Sequence, residues 1–328
     1  MHYPKMLEMG ARACLSGHRI GPSPQMITSY ANMMIFFGML RKSKIVERRA
    51  STIQKLADQL GDPVSNSHLQ VMRHVALHIA GECGEVEDGL DRVLTQQGHL
   101  TEAWVYLIGV ADLAWVLMMR GYQDRAWAWV QRGIERCKLT SSPAGVVRDL
   151  DILSCYAISC LAVLGRPGEA LEYVERLREK CTTGQADRSL EANYLGHLLM
   201  LHRETGELTS PMVETGEQFL KLKMLPALTP LHRRHFFVLW AYANLDRCQR
   251  GEASEDDYAR LDQSMKQLKK TSNRVVIKAH YLTALGAREH LAGRHHRALE
   301  HLSRAQDLAA LHDAPWVTFE VGRWRSRV

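Results

Sequence analysis

Apolar positions recur along most of the chain with the spacing of amphipathic helices, in long runs that short breaks containing glycine or proline separate. Ala, Leu, Met, Glu, Gln and Arg dominate these runs, and all six favour helix. Runs of β-branched residues with alternating polar and apolar positions, which would indicate strands, hardly occur. The pattern therefore predicts an all-α fold.

Prolines and glycines mark the predicted helix boundaries. Each of the ten prolines fits a connection or the first turn of a helix, where a missing backbone N–H is tolerated. The clearest breaks are GPSP at 21–24, GDP at 61–63, SSP at 141–143 and PALTP at 226–230. They predict a lone helix over roughly 4–17, a pair of helices over 24–60 and a closing helix from about Ala314.

Four short stretches of the chain resemble one another and indicate an internal repeat. Each has a glycine followed, five residues later, by a small residue. We expect the glycine to end one helix in a left-handed conformation and the small residue to let the next helix pack closely against it. An aliphatic residue nine positions after the glycine continues the buried stripe. The glycine and small-residue pairs are Gly84/Gly89, Gly121/Ala126, Gly165/Ala170 and Gly293/Ala298, followed by Val93, Val130, Val174 and Leu302.

Two weaker copies of this stretch fill the gap in the series. They begin with Gly206 and Gly251 but carry Pro211 and Asp256 in place of the small residue. With them included, the glycines stand at 84, 121, 165, 206, 251 and 293, which are 37 to 45 residues apart. This spacing predicts one helix hairpin about every forty residues.

The repeat resembles the tetratricopeptide-like helical repeats. It is similar, more narrowly, to the long-repeat arrays at the C-terminal ends of bacterial signal-transducing ATPases, which are often fused to cyclase or serine/threonine kinase domains. The resemblance rests on residues 57–96 and on the next unit, with Trp104 and MMRGYQDRAWAWVQRGIERCK, and it extends over nearly the whole chain. The chain departs from the family in its longer repeats, in lacking the proline expected after the second helix, and in lacking an ATPase or effector domain.

The resemblance implies a superhelical solenoid of about seven antiparallel helix hairpins, forming a single helical-repeat domain over 1–328. An N-terminal helix would lie within 1–20, the repeats within 24–311, and a C-terminal capping helix, complete or truncated, within 314–328. In such arrays the first helix of each hairpin lines a concave groove, with inward residues thirteen, ten, six and three positions before the turn glycine. Counting back gives the candidate partner-binding residues His74, His78, Trp115, Ser159, Asn193, Arg203, His280 and His290.

Composition narrows the possible partners and compartment. Lys and Arg exceed Asp and Glu by 42 to 36 and are interspersed with them, so nucleic acid is allowed as a partner but not required. The seven cysteines are odd in number and form no C-x-x-C pair, which predicts reduced core thiols and a cytoplasmic location. Residues 103–119 are strongly apolar, but Asp112 near their middle favours a buried helix over a membrane span.

Motifs for catalysis are scarce. The strings G-x-x-x-x-G-K-[ST], G-x-G-x-x-G and G-x-S-x-G, which bind phosphates or present a nucleophile, do not occur. His74 and His78 stand four residues apart, as a zinc pair would, but Val75 replaces the glutamate of H-E-x-x-H and no third ligand can be assigned. We therefore expect no enzyme activity, no cofactor and no metal.

The sequence thus predicts a protein-interaction or ligand-sensing scaffold that binds a peptide, a protein or a small regulatory ligand in its groove. The resemblance implies an ATPase, cyclase or kinase component as the partner, and we expect no membrane association. Two alternatives stay open at this point. One is a metal-dependent or other enzyme built on the histidine-rich groove, and the other is a helical-repeat nucleic-acid binder.

Overall fold

The computed structural model describes residues 3–82, 84–139, 144–229, 231–250 and 253–328. Within these ranges the chain forms sixteen α-helices and three short 3₁₀ helices, and no strand. The predicted all-α fold is confirmed. The predicted N-terminal, paired and closing helices correspond to α1, α2 with α3, and α16.

The helices follow one another with short connections and are numbered in chain order. They are α1 Tyr3–Ile20, α2 Pro24–Met39, α3 Ser43–Leu60, α4 Pro63–Ala80, α5 Gly84–Gln97, α6 Ala103–Arg120, α7 Gln123–Leu139, α8 Ala144–Val163, α9 Pro167–Thr182, α10 Arg188–Thr205, α11 Ser210–Lys221, α12 His235–Gln249, α13 Glu255–Thr271, α14 Val275–Leu291, α15 His295–Leu311 and α16 Pro315–Arg325. The 3₁₀ helices are Gly98–Leu100, Pro226–Leu228 and Leu231–Arg233.

Four of the turn glycines end a helix as predicted. Gly121, Gly165, Gly206 and Gly293 all have positive φ, between 72° and 110°, a conformation that other residues rarely adopt. After Gly206, for example, the backbone N–H of Glu207 bonds back to the carbonyl oxygen of His202 and closes the last turn of α10. Gly251 lies outside the described residues.

Gly84 does not have the predicted role. It is the first residue of α5, and the preceding helix already ends at Gly81, whose φ is 114°. The segment GECGE offers two glycines, and the first of them takes the left-handed position, with its N–H bonded to the carbonyl oxygens of Leu77 and His78. Counting back from Gly84 therefore shifts the register of this repeat by three residues.

The small residues after the turns lie at helix contacts, as predicted. Ala126, Ala170 and Ala298 are fully buried. A Cβ placed on Gly286 in α14 would lie only 3.0 Å from the carbonyl oxygen of Ala298 in α15, so the two backbones approach closely. The aliphatic residues nine positions after the turn glycines, Val93, Val130, Val174 and Leu302, are also buried.

The contacts divide the chain into two compact units. The first comprises Met1–Leu113 with Glu135–Asp149, and the second comprises Ala114–Ile134 with Leu150–Val328. In the first unit α2 packs on α3 and α4, and α4 packs on α5. In the second, α10 packs on α9, α11 and α12, α12 on α13 and α14, and α14 on α15 and α16. Helices α2, α10, α12 and α14 therefore contact both the next helix in the chain and the one after it.

Most of the cysteines are small buried residues. Cys137, Cys155, Cys160 and Cys248 are buried and Cys14 and Cys181 are half-buried, and all six are free thiols. Burial raises the pKa of the Cys160 thiol to about 12, so that it stays protonated. Cys83 lies outside the described residues.

One helix in the described part of the chain is long and apolar enough to cross a membrane. This is α6, with a mean hydropathy of 1.5, and 78% of it is buried within the protein. The carboxylate of Asp112, near its middle, lies 2.7 Å from Nδ1 of His78. Burial of this kind is typical of a core helix.

The close contact between α14 and α15 generates a stability prediction. We expect Ala298→Leu to lower the free energy of unfolding by about 1–3 kcal/mol, because the larger side chain must push the two backbones apart. The neighbouring Leu299 is 48% exposed, and Leu299→Ala should change stability by less than about 0.5 kcal/mol. Urea unfolding followed by circular dichroism measures both, and equal effects would contradict the packing role of Ala298.

Candidate functional site

Most of the residues predicted to line a groove lie between helices. His78, Trp115, Ser159, Asn193 and His280 are each at most 2% exposed. They occupy the sides of their helices that face neighbouring helices, so they do not form an open surface. Their part in binding stays a prediction, while their position identifies them as packing residues.

His280 shows how a buried imidazole is accommodated. Its Nε2 lies 3.0 Å from the carbonyl oxygen of Met119, and its Nδ1 lies 2.9 Å from the hydroxyl of Tyr242. Because a carbonyl oxygen only accepts, Nε2 carries a hydrogen and donates it. Burial lowers the pKa of His280 to about 4, so the ring is neutral and its Nδ1 accepts from the tyrosine hydroxyl.

Polar contacts of this kind join four pairs of helices that are two apart in the chain. They connect α2 to α4, α4 to α6, α8 to α10, and α12 to α14. The pairs are Asn32 with His68 at 2.9 Å, His78 with Asp112 at 2.7 Å, Ser159 with His197 at 2.7 Å, and Tyr242 with His280 at 2.9 Å. The rings of His197 and His235 also pack together across α10 and α12, with centroids 4.3 Å apart.

Burial keeps several of these imidazoles neutral. It lowers the pKa of His235 to about 3 and that of His280 to about 4, and it lowers the pKa of His197 well below the usual range. A charged imidazole in these positions would lack water and would need an acceptor at each nitrogen. The rings serve the fold in their neutral form.

His74 and His78 do not form a metal pair with a third ligand. The ring of His74 lies so close to Gly89 of α5 that no Cβ would fit there, whereas Nδ1 of His78 contacts Asp112. Burial, together with Arg73 and Arg92, lowers the pKa of His74 to about 4. No group of three or more His, Cys, Asp or Glu side chains placed to hold a metal occurs in the described part of the chain.

Two other candidates have distinct surroundings. Neither side-chain polar atom of Asn193 has a hydrogen-bond partner, although the residue is buried. His290 is half-buried and packs against the ring of Trp324, with centroids 6.2 Å apart, and against His295 at 5.2 Å. Neither residue lines the pocket beside Arg203.

Among the residues predicted to line the groove, Arg203 lines a pocket in the described part of the chain. The pocket lies in the second unit between α10, α12 and α16 and has a volume of about 480 Å³. Its lining combines charged, aromatic and aliphatic side chains. The lining residues are Gly121, Gln123, Val163, Met200, Arg203, Glu204, Asp246, Pro315, Trp316, Phe319, Glu320 and Arg323.

Four of these side chains form a closed ring of alternating charge, which we call the charge ring: Arg203, Asp246, Arg323 and Glu320. Arg203 contacts Asp246 at 2.9 Å and also Glu320, and Arg323 contacts Asp246 at 2.7 Å and Glu320 at 2.8 Å. Burial by itself lowers the pKa of Arg203, but the carboxylates of Glu320 and Asp246 outweigh it and raise the pKa. The guanidinium also lies over the ring of Tyr242, 5.1 Å from its centroid.

Helix α16 supplies the other wall of the pocket. Four of its residues follow the i, i+3, i+4, i+7 spacing of one helical face: Trp316, Phe319, Glu320 and Arg323. The indole of Trp316 packs on His280, with centroids 4.5 Å apart, while Phe319 is 66% exposed. This face was missed by counting back from turn glycines, although its aromatic and charged residues are readable in PWVTFEVGRWR.

The start of α16 is held against the turn after α6. The guanidinium of Arg120 contacts the Asp313 carboxylate at 2.6 Å, and the hydroxyl of Tyr122 donates to the same carboxylate at 2.5 Å. A Cβ on Gly121 would lie 2.6 Å from the backbone nitrogen of Trp316. Gly121 therefore has two roles, because it ends α6 and also leaves room for α16.

Comparison with known proteins assigns no family to the chain. A scan against models of known protein families finds no match, and a search of curated proteins finds none either. We therefore base the functional proposal on the residues of the chain itself.

The buried neutral histidines generate a prediction about pH. In the unfolded chain a histidine takes up a proton near pH 6.5, whereas His235 and His280 resist protonation until about pH 3 and 4. Between pH 6.5 and these lower values the unfolded chain binds more protons than the folded chain. The contribution of these histidines to the free energy of unfolding is therefore fully present above pH 6.5 and falls as the pH drops. Each group contributes up to about 1.4 kcal/mol per pH unit.

Urea unfolding at pH 7.5, 6.5, 5.5 and 5.0 measures this dependence. The variant His280→Gln should show a shallower slope of unfolding free energy against pH, whatever its stability at pH 7.5. His296 has an 89% exposed side chain, and His296→Gln serves as the control that removes no buried imidazole. A slope that is the same in His280→Gln as in the unmodified chain would show that His280 does not contribute.

The charge ring generates a second prediction from this site. Glu320→Ala should lower the free energy of unfolding by about 3–5 kcal/mol, because it leaves Arg203 buried with one carboxylate partner fewer. The double variant with Arg203→Leu and Glu320→Leu should lose less, since the pair of Arg323 and Asp246 stays intact. Chemical unfolding of the two variants tests this, and a double variant less stable than the single one would contradict it.

Proposed function

We propose that the chain is a non-catalytic interaction module that binds a segment of a partner protein in the pocket between α10, α12 and α16. The proposal rests chiefly on the pocket itself, with its volume of about 480 Å³ and a lining that combines a paired charged floor with an aromatic wall. Pockets that bind ligands commonly combine an apolar lining with a few fixed polar groups.

The paired charges favour binding over proton transfer. Asp246 and Glu320 each contact two guanidinium groups, Arg203 and Arg323, so neither carboxylate stands ready as a general base. Ion pairs of this kind hold their side chains in fixed positions. A fixed polar floor suits recognition of a ligand whose polar groups are placed to match it.

Aromatic side chains on α16 supply anchors for a partner segment. Phe319 is largely exposed, and Trp316 is half-buried beside it on the same helical face. Large aromatic residues contribute disproportionately to binding free energy when a partner covers them. An exposed phenylalanine beside a pocket has the properties of such an anchor.

We also propose a tetratricopeptide-like superhelical solenoid of about seven antiparallel hairpins for the chain. The recurring left-handed glycines and the packing of α2 on α4, α10 on α12, α12 on α14 and α14 on α16 support this architecture. By its resemblance to the arrays of bacterial signal-transducing ATPases, the module would act in the cytoplasm in signal transduction. The partner would be an ATPase, cyclase or kinase component.

A selection of peptides tests the proposed site. We expect a phage-displayed library of random dodecapeptides, selected against the purified protein, to yield binders that Phe319→Ala weakens at least about tenfold. Leu311 is 75% exposed and does not line the pocket, so Leu311→Ala is the matched control and should leave binding unchanged. Fluorescence anisotropy of the synthesised peptides gives the affinities.

Two results would contradict the proposed site. The selected peptides could bind the Phe319→Ala variant as tightly as the unmodified chain, which would place their site elsewhere. The selection could also enrich no peptide at all, which would remove the case for peptide binding.

A further inference from the structure

Glu204 differs from the other charged residues of the pocket. Its side chain is 34% exposed, and its nearest contact with a guanidinium is 3.9 Å, to Arg203. The carboxylates of Asp246 and Glu320, in contrast, each accept a hydrogen bond from the guanidinium of Arg203. Glu204 is therefore the carboxylate of this pocket with the weakest neutralisation inside the protein.

The pocket as a whole carries one negative charge in excess. Two guanidinium groups and three carboxylates line it, and the charge ring already neutralises both guanidinium groups. Burial raises the pKa of Glu204; Arg203 lowers it, and the nearby carboxylates of Glu320 and Asp246 raise it further. A cation placed beside Glu204 would relieve the repulsion between the carboxylates.

Aromatic and aliphatic groups line the same pocket and suit the rest of a long basic side chain. Trp316 and Phe319 offer ring faces, which attract guanidinium and ammonium groups. Val163 offers apolar surface to the methylene stem. Charge and shape thus select the same type of ligand group.

We propose that the pocket binds an arginine or lysine side chain of a basic partner segment, with Glu204 pairing with its cation and the α16 aromatics covering it. The inference rests on the proposed function and specifies the chemistry of its ligand. The preference for a cation follows from the excess negative charge of the lining residues.

Synthetic pentapeptides test the proposal without a known partner. Acetyl-Ala-Ala-X-Ala-Ala-amide is prepared with X as arginine or as citrulline, which has nearly the same shape but no charge. Binding is followed through the indole N–H of Trp316 in ¹H–¹⁵N spectra, with the resonance identified by Trp316→Phe. We expect the arginine peptide to shift this resonance and to bind about fivefold more tightly than the citrulline peptide.

Variants then assign the charge preference to Glu204. Glu204→Gln should weaken the arginine peptide about fivefold and leave the citrulline peptide unchanged. Glu217 is an exposed carboxylate of α11 that does not line the pocket, so Glu217→Gln should change neither affinity. The comparison of the two peptides on the unmodified chain needs no variant and stands even where Glu204→Gln does not fold.

The outcomes separate this proposal from the one on which it rests. If both peptides shift the Trp316 resonance with equal affinity, the cation preference is wrong while the pocket remains a binding site. If selected dodecapeptides depend on Phe319 but carry no basic residue, the conclusion is the same. If neither pentapeptide shifts the resonance and the selected dodecapeptides do not depend on Phe319, both proposals are overturned.

Discussion

A polar group buried between two helices costs free energy unless it is hydrogen-bonded, and this cost shapes several of the helix contacts in the chain. Neutral imidazole meets it well, because one nitrogen donates and the other accepts. His280 uses both, bonding to Tyr242 of α12 and to the carbonyl oxygen of Met119. Such a contact specifies the alignment of the helices it joins, whereas aliphatic packing alone tolerates small shifts.

The helices were largely predictable from the sequence because their signals are local. Glycine after an amphipathic run and proline in a first turn act on the backbone of neighbouring residues, so Gly121, Gly165 and Gly293 could be assigned from their immediate context. Gly84 was misassigned for the same reason. Two glycines within four residues both satisfy the local rule, and only the hydrogen bonds at the end of α4 select Gly81.

The pocket could not be predicted in this way because its walls are distant in the sequence. Arg203 and Glu320 are 117 residues apart, and no repeat spacing brings them together. Polar residues on helix faces were read as groove residues, yet the structure buries most of them against other helices. Arg203 is also largely buried, but its guanidinium contacts Glu320 of α16 and lines the pocket beside that helix.

The closed form of the charge ring constrains how these positions can change during evolution. Each member contacts two residues of opposite charge, so reversing any one charge creates two like-charge contacts at once. A single compensating substitution repairs only one of them. The four residues, contributed by α10, α12 and α16, are therefore expected to change together rather than one at a time.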